Sequence, residues 1–269
     1  MGRPTVFFDI DGTLAWRDPA VMPLLPPEER ELSPLPSRVV TDAIVELVNK
    51  GGHALLCTGR SPAAVHPMLT SLPFIGMVCL SGAYVELRGT VLRDVCMPTD
   101  LLRGVDRVLR AADRGAILEG TWGVSELRGG PEGTRDGTYG TMGSAVAALR
   151  GARVHKLVVA NEVAGLLMAE PRFAHDLRVS RLDELNSEIG YAENTKQVGV
   201  RTVLDHLGTS VGTTYAFGDS ENDISLFETV DVPVAMGNAP DEVKLRARHV
   251  CDSVDKDGVV QGLRELGLI

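Results

Sequence analysis

Apolar positions near the start of the chain fall into short runs that alternate with stretches of helical spacing. Thr5 to Phe8 is a β-prone run that stops at Asp9, and it reads as a buried parallel strand with acidic chemistry at its carboxyl end. Ser37 to Lys50 carries Val40, Ile44 and Leu47 at helical spacing and stops at Gly51-Gly52, which predicts a helix with a glycine terminus. His53 to Cys57 follows as a second strand. Ser61-Pro62 supplies a cap and a first-turn proline for a helix through about Leu69, and Met77 to Leu80 makes a third strand. Strand and helix alternating in this way predict an α/β, doubly wound parallel sheet.

The pattern changes from about Tyr84. Tyr84 to Cys96 reads as a hairpin turning near Gly89, Thr99 to Ala112 as an amphipathic helix, and Ala116 to Tyr139 as a flexible segment rich in Gly and Thr. Val154 to Ala160 is a further strand, with a helix after it through Met168. Beyond Glu184 the first pattern resumes: Thr195 to Leu207 as helix, Thr214 to Phe217 as strand, Glu221 to Glu228 as helix, Val232 to Ala235 as strand. The expectation is a discontinuous core domain of residues 1–84 and 185–269, interrupted at 85–184 by an α+β insert.

Composition narrows the function classes. A chain of 269 residues, 44% hydrophobic and 23% charged, can bury a sizeable core. It contains no apolar stretch of membrane-spanning length and no leader pattern at its N-terminus, so the expected location is cytoplasmic, with no membrane partner. Net charge of −9 argues against a nucleic-acid partner, which would need a broad basic surface. The four cysteines form no CxxC pair, and the six histidines include no pair at the helical i, i+4 metal spacing.

In an open parallel sheet, ligands bind beyond the carboxyl ends of the strands. The residues just after each expected strand should therefore share one site. They are Asp9, Asp11, Gly12 and Thr13 after the first, Thr58, Gly59 and Arg60 after the second, and Gly218, Asp219, Asn222 and Asp223 after a later one. Lys196 opens the helix that follows the insert. The set offers acids for a hard cation, a hydroxyl and glycine amides for a phosphate, and a carboxylate able to attack.

The segments FFDIDGTL, LCTGR, NTKQ and FGDSENDISLF, in this order, resemble the four motifs of the haloacid dehalogenase superfamily. The insert between the second and third, with VAMGNAP and DKDGVV further on, resembles the Cof-type branch of capped sugar-phosphate phosphatases. The resemblance implies a Rossmann-like core with a cap and magnesium-dependent hydrolysis of a small phosphorylated metabolite. Asp9 would be the nucleophile and Asp11 the general acid, with magnesium held by the Asp9 and Asp219 carboxylates and the Asp11 carbonyl. Thr58, Gly59, Lys196 and Asn222 would bind phosphate or substrate, Gly12 would turn the chain so that amides face the phosphate, and Asp223 would hold the metal site from behind.

Two positions depart from the branch's usual pattern: Ser81-Gly82-Ala83 stands for Asn-Gly-Ala, and Gln197 for the Gly after the lysine. Arg60 fits a core salt bridge as well as a substrate contact. Trp16 to Pro36, with six prolines, fits a lid as well as a rigid surface excursion. A phosphomutase using the same aspartyl phosphate, and a non-catalytic phosphometabolite-binding protein, are the alternative functions.

Overall fold

The computed structural model describes residues 2–18, 20–21, 34–129, 138–149, 151–182 and 184–269. Most of Trp16 to Pro36, and with it the choice between lid and excursion, lies outside the described residues, as does 130–137 of the glycine-rich segment. In chain order the strands are β1 (Arg3–Phe8), β2 (His53–Cys57), β3 (Gly76–Cys79), β4 (Tyr84–Leu87), β5 (Thr90–Asp94), β6 (Ala116–Gly120), β7 (Gly123–Leu127), β8 (Thr138–Tyr139), β9 (Lys156–Ala160), β10 (Leu177–Arg181), β11 (Asn186–Tyr191), β12 (Val211–Gly218), β13 (Val232–Ala235) and β14 (His249–Val250). The longer helices among the described residues are α1 (Arg38–Asn49), α2 (Thr99–Ala111), α3 (Asn161–Ala169), α4 (Lys196–Leu207) and α5 (Gly258–Glu265).

The chain forms two units. The larger comprises Met1–Gly59, Val65–Arg93 and Lys196–Ile269. Its eight-stranded sheet runs β14-β13-β12-β1-β2-β3-β4-β5, parallel from β14 through β3, with β4 turning back antiparallel to β3. Val6 and Phe8 of β1 cluster with Val40, Ile44 and Leu47 of α1 and with Val259 and Leu263 of α5. Phe7, between them, joins Val200 and Val203 of α4 instead. Successive strand side chains point to opposite faces, so a strand covered on both faces must be apolar on both, and β1 is so over Val6, Phe7 and Phe8, each fully buried. Complete burial of each such side chain contributes about 1.5–3 kcal/mol. Ser37 caps α1, its Oγ accepting from the Val40 amide at 3.2 Å.

The smaller unit comprises Arg60–Ala64 and Asp94–Thr195. Its six-stranded sheet runs β10-β11-β9-β6-β7-β8, antiparallel except for β7 beside β8. Leu101, Val105 and Leu109 of α2 and Val163 and Leu167 of α3 pack on Leu118, Leu157 and Ile189. The alternate residues of the same strands carry charge. Lys156 Nζ lies 2.7 Å from Glu188 and 3.3 Å from Glu119, and Arg178 reaches Glu188 at 3.2 Å.

Several elements differ from the sequence reading. The helix expected from Ser61 to Leu69 is a short turn at Pro62–Ala64 followed by a separate helical turn at Pro67–Thr70. Pro67 is the cause: proline drives the preceding residue out of the α region, and His66 is extended and caps the new turn through Nδ1. Within the segment taken as flexible, Ala116–Gly120 and Gly123–Leu127 are paired strands. The unit boundaries also differ from 85–184. The hairpin of β4 and β5 extends the parallel sheet, whereas β11 pairs with β9, which assigns 185–195 to the smaller unit. Among the described residues no helix is long and apolar enough to cross a membrane.

Gly199 governs how closely α4 approaches the sheet. A Cβ there would lie 2.4 Å from Val78 Cγ1 and 3.1 Å from the Gly82 Cα. Gly199→Val should therefore destabilise the protein by about 1–3 kcal/mol through overpacking, read as a lowered urea midpoint. An unchanged midpoint would show that α4 shifts without cost.

Candidate active site

Chain order in the parallel sheet reverses between β1 and β12: β2 and β3 follow outward from β1 on one side, β13 and β14 from β12 on the other. The carboxyl ends of these two strands therefore face a crevice that no connection crosses. Asp9 follows β1 directly, its amide bonded to the Phe217 carbonyl at 3.0 Å, and Asp219 follows β12. After Asp9 the chain folds into a tight turn in which the amides of Thr13, Leu14 and Ala15 all reach the Ile10 carbonyl, at 3.3, 2.9 and 2.8 Å. Gly12 makes the turn possible: its φ is +76°, and a Cβ there would lie 2.1 Å from Asp219 Oδ2.

Lys196, 1% exposed, sits in the middle of the acids. Its Nζ donates to Asp9 Oδ1 at 2.8 Å and to Asp223 Oδ1 at 2.6 Å. Asp223 is fully buried, and its second oxygen accepts the amides of Asp219 and Ser220, both at 3.0 Å. Thr13 Oγ1 donates to Asp219 Oδ1 at 3.0 Å. Asn238, from the loop after β13, donates through Nδ2 to the Gly12 carbonyl at 2.9 Å and approaches Asp219 Oδ2 at 3.4 Å.

The electrostatics reveal a shortage of positive charge. Burial pushes the Asp9 carboxyl up to about 8, against the pull of Lys196 and with a further push from Asp223. Burial, and then Asp223, pushes Asp219 up to about 7. Burial opposes the charge on Lys196, but the carboxylates of Asp223 and Asp9 hold the ammonium above the ordinary lysine range. Lys196 thus stays charged and makes its shorter contact with Asp223, so the unmet negative charge falls on Asp9 and Asp219.

With Asp9, Asp219 and Asp223 all ionised beside one ammonium, the cluster is two charges short of neutrality. One oxygen from each of Asp9, Asp219 and Asp223 lies within 4.8 Å of the others. An all-oxygen donor set with that deficit fits a hard divalent cation such as magnesium. Asp223 is committed to the Lys196 ammonium and two backbone amides, whereas Asp9 has Oδ1 alone engaged and Asp219 meets a hydroxyl and, at 3.4 Å, a carboxamide, so Asp9 and Asp219 have the greater capacity to hold it.

The remaining expected residues fall as follows. Asp11 is exposed, two residues beyond Asp9. Thr58 is buried after β2, and its carbonyl accepts the Ser81 amide at 3.2 Å. Gly59 ends the same stretch of the larger unit. Asn222 Oδ1 accepts from the Ser220 hydroxyl at 3.0 Å, which orients its carboxamide. Arg60 belongs to the smaller unit, where its guanidinium meets the Ala64 carbonyl at 3.5 Å. Sequence reasoning gave no role to Asn238, although it lies within a motif already set apart, nor to the Thr13 hydroxyl. Ser81, standing where Asn is usual, has φ 54° and ψ 36°, a left-handed conformation that Asn tolerates more readily than Ser.

Comparison with known proteins agrees with this geometry. YkrA of Bacillus subtilis (strain 168), which carries a provisional phosphatase name, is 29% identical over 288 residues and covers 100% of both chains. The solved structure of the subclass IIB sugar phosphatase BT4131 superposes with a TM-score of 0.77 at 21% identity, covering 99% of this chain and 100% of that one. The structure of the phosphatase BT1666 from Bacteroides thetaiotaomicron gives a TM-score of 0.76 at 24% identity, covering 100% of this chain and 96% of that one. At these identities the two structures establish the fold. A sequence profile described as haloacid dehalogenase-like hydrolase matches residues 6–263, and the chain belongs to that family.

Proposed function

We propose that this hydrolase is a magnesium-dependent phosphatase that cleaves a small phosphate monoester, of phosphosugar or related phosphometabolite type, through an aspartyl phosphate on Asp9. The observation that carries the reading is the buried Asp9 carboxylate at the strand switch, with one oxygen held by Lys196. That contact engages Oδ1 and leaves Oδ2 to attack phosphorus. The bond from phosphorus to the leaving oxygen breaks as the Asp9 Oδ2–phosphorus bond forms, and Asp11, two residues along and exposed, gives the leaving oxygen its proton. Water then attacks the phosphorus of the aspartyl phosphate, Asp11 takes a proton from it, and Asp9 departs as carboxylate. A bound magnesium ion supplies positive charge that keeps Asp9 ionised and offsets the charge of the phosphoryl group.

Thr58 and Gly59, after the neighbouring strand β2, would donate to the phosphoryl oxygens, with the Lys196 ammonium offsetting their charge. Asn222, its amide oriented by Ser220, would bind substrate, and Asp223 would fix Lys196 and the Asp219 backbone. Substrate choice is assigned to the smaller unit. Its main segment, Asp94–Thr195, is inserted in the chain between the β4–β5 hairpin and the helix that begins at Lys196, and it supplies none of the reacting groups.

Two outcomes are expected. Turnover of a generic aryl phosphate should vanish with a chelator and return with magnesium, and Asp219→Ala should weaken magnesium binding by at least about tenfold, measured calorimetrically. Full activity in metal-free buffer would contradict the reading. Exchange of Asp94–Thr195 for the corresponding segment of a relative with another substrate preference should transfer that relative's ranking of phosphosugars. A folded chimera that keeps the original ranking would remove the smaller unit from the specificity argument.

A further inference from the structure

Two motifs set apart in the sequence, VAMGNAP and DKDGVV, have no part in the chemistry described above. The structure brings them together at one side chain. Asn238 lies in the loop after β13, and its Nδ2 donates to the Gly12 carbonyl in the loop after β1, at 2.9 Å. The same nitrogen is 3.4 Å from Asp219 Oδ2, in the loop after β12. Its Oδ1 accepts the Val254 amide at 2.9 Å, and Val254 opens the turn Val254–Lys256 after β14 that contains the second motif's first residues. These four strands are consecutive in the sheet, in the order β14-β13-β12-β1. One carboxamide therefore spans the carboxyl ends of all four. Its orientation is fixed by its partners, since a backbone amide can only donate to Oδ1 and a backbone carbonyl can only accept from Nδ2.

We infer that Asn238 is a positioning residue for the cation site: it fixes the Gly12 turn against Asp219 and so sets the placement of the Asp219 carboxylate. The stronger contact is to the Gly12 carbonyl; the carboxylate contact is at the outer limit of a hydrogen bond. Gly12 itself leaves no room for error, because Asp219 Oδ2 occupies the space where a Cβ would be. A turn displaced by a few tenths of an ångström would move against that oxygen. Threonine completes the hold from the other side, Thr13 Oγ1 donating to Asp219 Oδ1. Both carboxylate oxygens thus have a neighbour that restricts rotation, as outer partners of metal-binding carboxylates do. Asn238 is itself exposed, so its loss should affect the geometry of the loops more than the stability of the fold.

The inference rests on the cation-dependent reading above, and one experiment separates the two. Isothermal titration of the full chain with magnesium chloride, for the unaltered protein, Asn238→Ala and Asn238→Ser, is paired with urea unfolding of each. Both variants should bind magnesium about tenfold more weakly while their urea midpoints barely move. Unchanged magnesium affinity in a folded variant would overturn the positioning role, whether or not the midpoint falls, because a brace that matters only to folding changes the midpoint alone. Failure of the unaltered protein to bind magnesium at millimolar concentrations would overturn both readings.

Discussion

The Lys196 ammonium is buried between Asp9 at 2.8 Å and Asp223 at 2.6 Å, and most of the site's construction answers to that contact. A lone buried ammonium would cost several kcal/mol, and Lys196 also opens α4, where the helix dipole disfavours a cation. Both penalties are met by placing two carboxylates on it. That requirement fixes two strand ends, those of β1 and β12, relative to one helix. Gly199, one turn further along α4, lets the helix lie against Val78 and Gly82, which brings Lys196 to the depth at which it reaches Asp9. Asp223 then uses its other oxygen to hold the Asp219 and Ser220 amides. The same buried cluster remains short of positive charge, and this shortage is what makes it suited to a divalent cation and a phosphoryl group.

The two units show different uses of charge. In the larger, buried charge is concentrated at the carboxyl ends of parallel strands and left partly uncompensated, with Asp9 and Asp219 both pushed well above the ordinary carboxylate range. In the smaller, Lys156 lies between Glu119 and Glu188, and Arg178 adds a second cation to Glu188. Glu188 is held below its ordinary range: burial pushes it up, but Lys156 and Arg178 more than offset that. In the smaller unit the buried charges are paired within the sheet, whereas in the larger the excess of negative charge is one that a bound cation would offset.

Much of the larger unit was legible because its signals are local. Strand β1 closes on the buried apolar run Val6–Phe8 and is followed at once by Asp9, so the run and its terminus are visible together. Lys196 became legible only through its order among the other motifs, since by itself it is an ordinary helix residue. Strands β10 and β11 were hidden for a physical reason: Arg178 and Glu188 look like solvent-facing residues in sequence but pair with each other in the fold. The broken helix near Pro67 was misread because Ser61-Pro62 gives a convincing start and the second proline cancels it five residues later. Asn238 was beyond reach because its two shortest contacts are to backbone atoms distant in sequence, Gly12 O and Val254 N.

The central claim is that Asp9 forms a bond to phosphorus. Acyl phosphates are reduced by borohydride to the alcohol, so protein quenched in acid during turnover of an aryl phosphate and treated with tritiated borohydride should carry tritiated homoserine at position 9. The Asp9→Asn variant, handled in the same way, should carry none. Label at another residue, or no label in a preparation that is turning over substrate, would contradict the account.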